Sequence, residues 1–331
     1  MFGIPVMSSR SKYLVGVDLG GTNIVAGALA EDGSDVIALR SEPTRADQGA
    51  DAVVDRIIRM IDTVIAETIA HTGAKRDDMI GVGVGAPGPL DRERGIVVTT
   101  PNLGWTNFPL RDVIADRIRL PVRIDNDANC ATLGEWWLGA ARGAENVIGM
   151  TIGTGIGGGV ILGGRLYHGS SDVAGEIGHA TIGITGRRCK CGNYGCLEAY
   201  ASGPSIADRA REALSSDDCL MLKMAGGDAS KITAATVYEA AKKGDDVALD
   251  VVRETSRFLG AGVANLLNIF NPDVVVICGG VTQAGDTLFA PLRKEVRKRA
   301  FKPAVDACRI VPGVLVAAGV VGAVAAYKQQ D

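Results

Sequence analysis

Twice in this chain an apolar run ends in a glycine turn and a second apolar run leaves it. Tyr13 to Val17 leads through Asp18 to Gly20-Gly21-Thr22, and Ile24 to Leu29 follows; Asn146 to Ile152 leads to Gly153–Gly159, and Val160 to Leu162 follows. Short apolar runs on either side of a glycine turn describe a hairpin rather than a strand feeding a helix. After the first hairpin, Val54, Ile57, Ile58, Ile61, Ile65 and Ile69 fall at helical spacing within Asp51–His71. Met79–Val84 then reads as a strand, Leu110–Ile118 as a helix, and Val122–Ile124 as a strand stopping at Asp125-Asn126-Asp127, with Ala128–Leu138 continuing as a helix. After the second hairpin, helices are predicted near Ser205–Leu214, Thr233–Lys243 and Ala248–Asn268, strands at Val274–Cys278 and Arg309–Val311, and a terminal helix from about Leu315. This weak internal duplication predicts two related α/β domains facing each other across a cleft. The first should cover residues 1–125, with a C-terminal helix of about 315–331 packing back on it, and the second residues 126–314.

A chain of 331 residues accommodates two such domains. Its 47% hydrophobic and 22% charged residues are those of a soluble globular protein. The net charge of −3 argues against a nucleic-acid face and for small-molecule partners. The longest apolar run, Val311–Tyr327, carries Pro312 and is short for a membrane span. The cysteines number seven, an odd count, and Met1–Ser11 lacks the apolar core and cleavage site of a secretory segment. That usage predicts a reducing, cytoplasmic setting.

Four residues of metal-binding type crowd into eighteen positions: His179-x9-Cys189-x-Cys191-x4-Cys196, with Glu176 ahead and Glu198 behind. One imidazole and three thiols form a full tetrahedral set for zinc with no position left for water, which marks a structural rather than a catalytic metal. Free thiols and a redox pair are the alternatives, but Cys189-x-Cys191 lacks C-x-x-C spacing. A zinc ribbon for nucleic acid would need more positive charge than Arg187, Arg188 and Lys190 supply. A purely structural knot leaves the flanking carboxylates unexplained.

Gly83–Gly88 and Gly153–Gly158 both match G-x-G-x-x-G by letter. A dinucleotide site needs a helix to begin at that motif, so that the pyrophosphate meets its N-terminus. Neither match is followed by a helical pattern, and no P-loop motif is present. Glycine hairpin turns bind anions in another way, through backbone N–H groups left uncovered by side chains. The turns at Gly20–Thr22 and Gly153–Gly155 add the hydroxyls of Thr22 and Thr154, and from opposite domains they could grip one polyphosphate. Asp18 is placed to hold a water-coordinated Mg2+ beside it. The plain alternative is that hairpins carry glycine for steric reasons alone. At Asp125-Asn126-Asp127, one polar residue suffices for a helix cap, and three exceed that need. Asp127, in or beside the first helical turn, should stay ionised in the field of the helix dipole.

Val17-Asp18-Leu19-Gly20-Gly21-Thr22, Thr151-Ile-Gly-Thr154-Gly155 and Val276-Ile-Cys-Gly279-Gly280 resemble the three nucleotide-contacting motifs of the actin/hexokinase/sugar-kinase superfamily. Cys189-x-Cys191-Gly-x-x-Gly195-Cys196-x-Glu198 narrows the resemblance to the ROK family of sugar kinases and repressors, over about Lys12 to Lys328. The resemblance implies two ribonuclease-H-like domains flanking a cleft, with a zinc-binding loop and a dimerisation surface in the second. It implies ATP and Mg2+ held by Asp18, Gly20, Gly21, Thr22, Asn23, Thr154, Gly155, Gly279 and Gly280. Asp127 becomes the catalytic base for a sugar 6-hydroxyl, and Asn102, Asn126, Asp127, Glu176, His179 and Glu198 become sugar contacts. Zn2+ stays structural, held by His179, Cys189, Cys191 and Cys196, while the second ring nitrogen of His179 offers its N–H to a hydroxyl.

The segment Asn102-Leu-Gly-Trp105-Thr-Asn-Phe-Pro-Leu110 resembles that of the family's glucokinases, which implies glucose as acceptor. N-acetylmannosamine or fructose is the alternative acceptor. A sugar-responsive regulator is less favoured, since it would carry a helix-turn-helix ahead of the first strand and only about a dozen residues stand there. Nucleic acid and membrane are not expected as partners; a homodimer or a homotetramer is. Asn23 departs from the Lys that many relatives carry after Gly-Gly-Thr, which puts the donor contact at that position in doubt, and Cys130 stands where Ala is common.

Overall fold

Tyr13–Leu19 (β1) is apolar at nearly every position and buried along almost its whole length. A strand with such a run belongs in the middle of a sheet covered on both faces. In the computed structural model, which describes residues 11–214 and 219–329, β1 is indeed central. The expectation that Met1–Ser11 holds no secretory segment falls, but for Ser11, outside the described residues. Asn23–Ala30 (β2) and Val36–Pro43 (β3) extend the sheet antiparallel on one side of β1. The helix Ala50–Thr72 (α1) then crosses over to Met79–Ala86 (β4), parallel to β1. A small antiparallel sheet follows: Leu90–Asp91 (β5), Ile96–Thr100 (β6) and Trp105–Phe108 (β7). After the helix Leu110–Ile118 (α2), Val122–Asn126 (β8) pairs in parallel with β4 and runs directly into the helix Asp127–Trp137 (α3). The main sheet thus has the order β3-β2-β1-β4-β8.

The same wiring recurs in the second half. Val147–Ile152 (β9) forms a hairpin with Ile156–Leu162 (β10), and Arg165–Leu166 (β11) extends it. The helices Glu198–Ala201 (α4), Gly203–Glu212 (α5), Leu220–Met224 (α6), Ala234–Lys242 (α7) and Asp246–Phe270 (α8) intervene before the next strand. Val274–Cys278 (β12) pairs in parallel with β9. After the helices Asp286–Arg299 (α9) and Lys302–Ala307 (α10), Arg309–Pro312 (β13) pairs in parallel with β12, giving β11-β10-β9-β12-β13. Both glycine turns therefore join the equivalent two strands of equivalent mixed sheets.

By packing, the chain divides into one unit that ends at Gly134 and resumes at Val316, and a second unit from Glu135 to Leu315. The division falls later than Asp125. The reason is the terminal helix, Ala318–Gln329, which belongs to the first unit and grips the first turns of α3. A Cβ on Gly322 would strike the carbonyl of Cys130, and one on Gly134 would strike the carbonyl of Ala318. On the sheet, Gly16 and Gly83 likewise leave room for the backbone at Val320 and Ala323. Val15, Val17 and Leu19 alternate to the other face and join α1 in a buried cluster.

Two boundaries differ from the sequence expectation. The returning strand begins at Ile156 rather than Val160, because Gly157, Gly158 and Gly159 pair in register with Thr151, Met150 and Gly149. Their lack of side chains accommodates a close neighbour: a Cβ on Gly158 would lie 2.7 Å from the carbonyl oxygen of Gly175. The terminal helix begins at Ala318 rather than Leu315, because the amides of Val314 and Leu315 are bonded to the side chain of Glu135.

The contact at Gly322 makes a direct prediction. Gly322→Ala must push two backbones apart, so it should destabilise the protein by at least the ~1–3 kcal/mol typical of overpacking. Denaturant unfolding checks this, and a variant as stable as the parent would show that the helices do not meet there.

Candidate functional site

In the first unit, the turn between β1 and β2 is closed by the Gly20 amide donating to the carbonyl of Asn23 at 2.9 Å. Thr44 fixes it from outside: its hydroxyl donates to the Gly20 carbonyl at 2.7 Å and its amide to the Thr22 carbonyl at 2.8 Å. Gly21, Thr22 and Asn23 are left exposed. Asn102, in the turn between β6 and β7, packs over Gly21, where its Cβ would be 3.3 Å from an added methyl. The small sheet, which sequence reasoning did not detect, is what carries Asn102 to that turn. Its hairpin is held by Trp105 stacked on Phe108 with ring centroids 4.4 Å apart. Asp18 closes the same strand end, and a Cβ on Gly319 of the terminal helix would collide with its carboxylate.

The run Asp125-Asn126-Asp127 divides its polar work. Asp125 is buried and ion-paired, its Oδ2 lying 3.1 Å from Nε of Arg92 while its Oδ1 accepts from Asn129 Nδ2 at 3.0 Å. Asn126 performs the capping, its Oδ1 accepting from the amides of Ala128 at 2.9 Å and Asn129 at 3.2 Å. Asp127 is half-buried at the start of α3 and accepts the Ala128 amide at 2.8 Å. Beneath them Cys130 is fully buried. Burial first, then the charges of Asp125, Asp18 and Asp127, push its thiol well above the ordinary range. Asp18 and Asp127 therefore act on the same wall of this unit.

In the second unit, the Gly153 amide donates to the Gly155 carbonyl at 2.9 Å, and the Gly203 amide to the Gly153 carbonyl at 2.8 Å. Gly279, at φ 98°, lets the chain turn off β12 beneath the Ile152 carbonyl, and Gly280 begins a short 3-10 turn. Thr154 and Gly280 consequently line one cavity of about 570 Å3. Its walls are largely apolar, including Pro204, Ala207, Ile232 and Val281, with Arg211, Thr233, Glu239 and Gln283 among the polar members. That size and lining suit a small organic ligand with a flat apolar part. The wall residues escaped sequence reasoning because an apolar side chain on a helix looks the same whether it faces core or cavity.

The sulfur cluster lies next to the same turn. Nδ1 of His179 is 3.8 Å from Cys189 Sγ, and the Sγ atoms of Cys191 and Cys196 are 3.7 Å apart. All four ligand atoms lie within 4.8 Å of one another. A tetrahedron with ~2.3 Å zinc–sulfur bonds has edges of about 3.8 Å, so the donor set and its spacing fit that metal. The other ring nitrogen, Nε2, faces Glu176 Oε2 at 3.9 Å, and both side chains are at least partly exposed. Glu198 connects cluster and turn: Oε1 is 3.9 Å from Cys189 Sγ, Oε2 accepts the Ile156 amide at 2.8 Å, and a Cβ on Gly155 would press on it.

The family model described as the ROK family matches residues 14–330. The chain belongs to the ROK family. This ROK protein is 38% identical to a glucokinase of Halalkalibacterium halodurans, over 97% of this chain and 96% of that one. It is also 38% identical to a glucokinase of Thermotoga maritima, over 96% of this chain and 98% of the relative. Among solved structures it resembles a ROK family glucokinase from Streptomyces griseus in complex with glucose and AMPPNP, at 35% identity and a TM-score of 0.81, covering 96% of this chain and 99% of that one.

Asp18 supplies a test of the first unit's electrostatics. Burial raises its carboxyl from 3.8 to about 6. The unfolded chain releases this proton first, so the burial cost grows as pH rises from about 4 to about 6 and persists above. Asp18→Asn should therefore melt at a higher temperature than the parent at pH 8, with the gain shrinking toward pH 4. Thermal melts across that range decide, and a variant less stable at pH 8 would contradict the buried-charge assignment.

Proposed function

We propose that this ROK protein is a glucokinase that transfers the γ-phosphate of ATP to the 6-hydroxyl of glucose. The observation that carries this is the match, along nearly the whole of both chains, to a glucokinase whose solved complex contains glucose and AMPPNP. The local geometry supports it. The apolar cavity beside Thr154 and Gly280 suits a nucleoside, and the exposed turn residues Gly21, Thr22 and Thr154 would face the phosphate oxygens, since the amides of Gly20 and Gly153 close their own turns. Gly279 belongs to the same nucleotide set, and Asn23 stands at the exposed edge of the first turn.

Asp127 is assigned as the base that takes the proton of the 6-hydroxyl as its oxygen attacks in line. A carboxylate of ordinary basicity suffices, because phosphoryl transfer depends mainly on positioning and on charge stabilisation. Asn102, Asn126, Glu176, His179 and Glu198 are assigned to the sugar hydroxyls. Carboxylates accept hydrogen bonds from a neutral polyol and repel an acidic or already phosphorylated sugar. Mg2+ held near Asp18 would neutralise charge on the phosphates. His179, Cys189, Cys191 and Cys196 would hold Zn2+, which fixes the loop that carries the sugar ligands. Assembly as a homodimer or homotetramer is supported by the family resemblance. Among the described residues, no helix is long and apolar enough to cross a membrane.

A coupled ATP assay across glucose, mannose, fructose, N-acetylglucosamine and N-acetylmannosamine should show glucose preferred by specificity constant; preference for N-acetylmannosamine or fructose would reassign the acceptor. Asp127→Asn should keep glucose binding by calorimetry while turnover falls by about 10²–10⁴-fold. Retained turnover would remove Asp127 as base. Metal analysis should find about one zinc per chain, and a zinc-free protein with full activity would refute the metal assignment.

A further inference from the structure

The chain passes between its two units at Gly134–Glu135 and again at Leu315–Val316. One buried side chain touches the residues at both passages. Glu135 is 1% exposed. Its Oε1 accepts the amides of Val314 at 2.9 Å and Leu315 at 2.8 Å, on the returning segment. Its Oε2 accepts the amide of Ala140 at 2.8 Å, just beyond the end of α3. Three amide donors on one carboxylate form a charge-assisted set, stronger than ordinary neutral hydrogen bonds. The staple also adjoins the nucleotide side of the second unit. A Cβ on Gly313 would lie 2.8 Å from both Glu135 Oε1 and Cys278 Sγ. Cys278 leads into Gly279–Gly280, and Glu135, after burial itself, helps to push its thiol up to about 12. Asp127 stands at the opposite end of α3, the helix that carries Glu135.

We propose that Glu135 is a positioning residue for phosphoryl transfer, a buried staple that fixes the two inter-unit connections to each other and to the strand end that presents the Gly279–Gly280 turn. The assignment rests on the kinase activity proposed above. A side chain that holds a helix and two chain segments in register can act on turnover without touching substrate. A small misplacement at such a point is enough to cost an order of magnitude or more in rate.

Glu135→Gln is the sharp variant, because its amide nitrogen cannot accept from Ala140 if its oxygen keeps Val314 and Leu315. Gly313→Ala is the second variant; it crowds the carboxylate without removing it and covers the case in which the first does not fold. Both are compared with the parent as zinc-loaded full-length protein, in three measurements: glucose affinity without nucleotide, steady-state kinetics, and amide hydrogen exchange at Val314 and Leu315. Expected are glucose affinity within about twofold, kcat lower by about tenfold or more, and faster exchange at the two amides. Faster exchange with unchanged kcat would reduce Glu135 to a structural role and overturn the proposal. So would unchanged exchange, since the staple would then not depend on the carboxylate. A parent protein inactive on every sugar would instead defeat the kinase assignment, and the positioning role with it, whatever the exchange shows.

Discussion

The close approach of the terminal helix to the first sheet is the contact on which the first unit depends. Helix and sheet meet backbone to backbone, which only glycine permits, at Gly16 and Gly83 on the strands and at Gly134 and Gly322 between helices. Because of it, residues from the far end of the chain lie beneath Asp18 and against the helix that begins with Asp127. The interior gains van der Waals contact over a long seam, and it loses tolerance: there is no side chain to rearrange when a methyl is added. Asp18 is desolvated by this packing, a cost to stability that the fold accepts at a position assigned to phosphate and metal.

What the sequence made legible follows from burial. Strands covered on both faces read as unbroken apolar runs, so β1, β2, β4, β9 and β12 stood out, and their repeated order exposed the duplication. Long helices such as α1 and α8 were legible from their spacing. β3 was not, because it is a largely exposed edge strand whose Val36 and Leu39 face solvent among polar residues. Gly157–Gly159 read as turn, since nothing local distinguishes a glycine required by a neighbouring segment from one required by a bend. The pairing of Asp125 with Arg92 and the staple at Glu135 are tertiary facts, invisible to any local pattern.

Within the site, residues of one chemical type have been given different work by their surroundings. Asp125 is held by an ion pair, Asn126 caps the helix through its Oδ1, and Asp127 stays at the surface of the unit. Glu176 faces the outer nitrogen of His179, while Glu198 reaches from the sulfur cluster to the amide of Ile156. The carboxylates flanking the cysteine motif therefore do more than decorate it. Glu198 ties the cluster's geometry to the glycine turn that begins β10, so that both would shift together.

The repeated wiring has one further consequence. In the first unit β3 passes through a short connection to α1; in the second, the equivalent passage after β11 is where the sulfur cluster has been spliced in. The cluster thus lies in a passage between β11 and α4 that packs back on the sheet, with Ile177 and Leu197 in the buried core. All four ligand-type residues come from that one passage, so no strand of the second sheet contributes a side chain to the cluster.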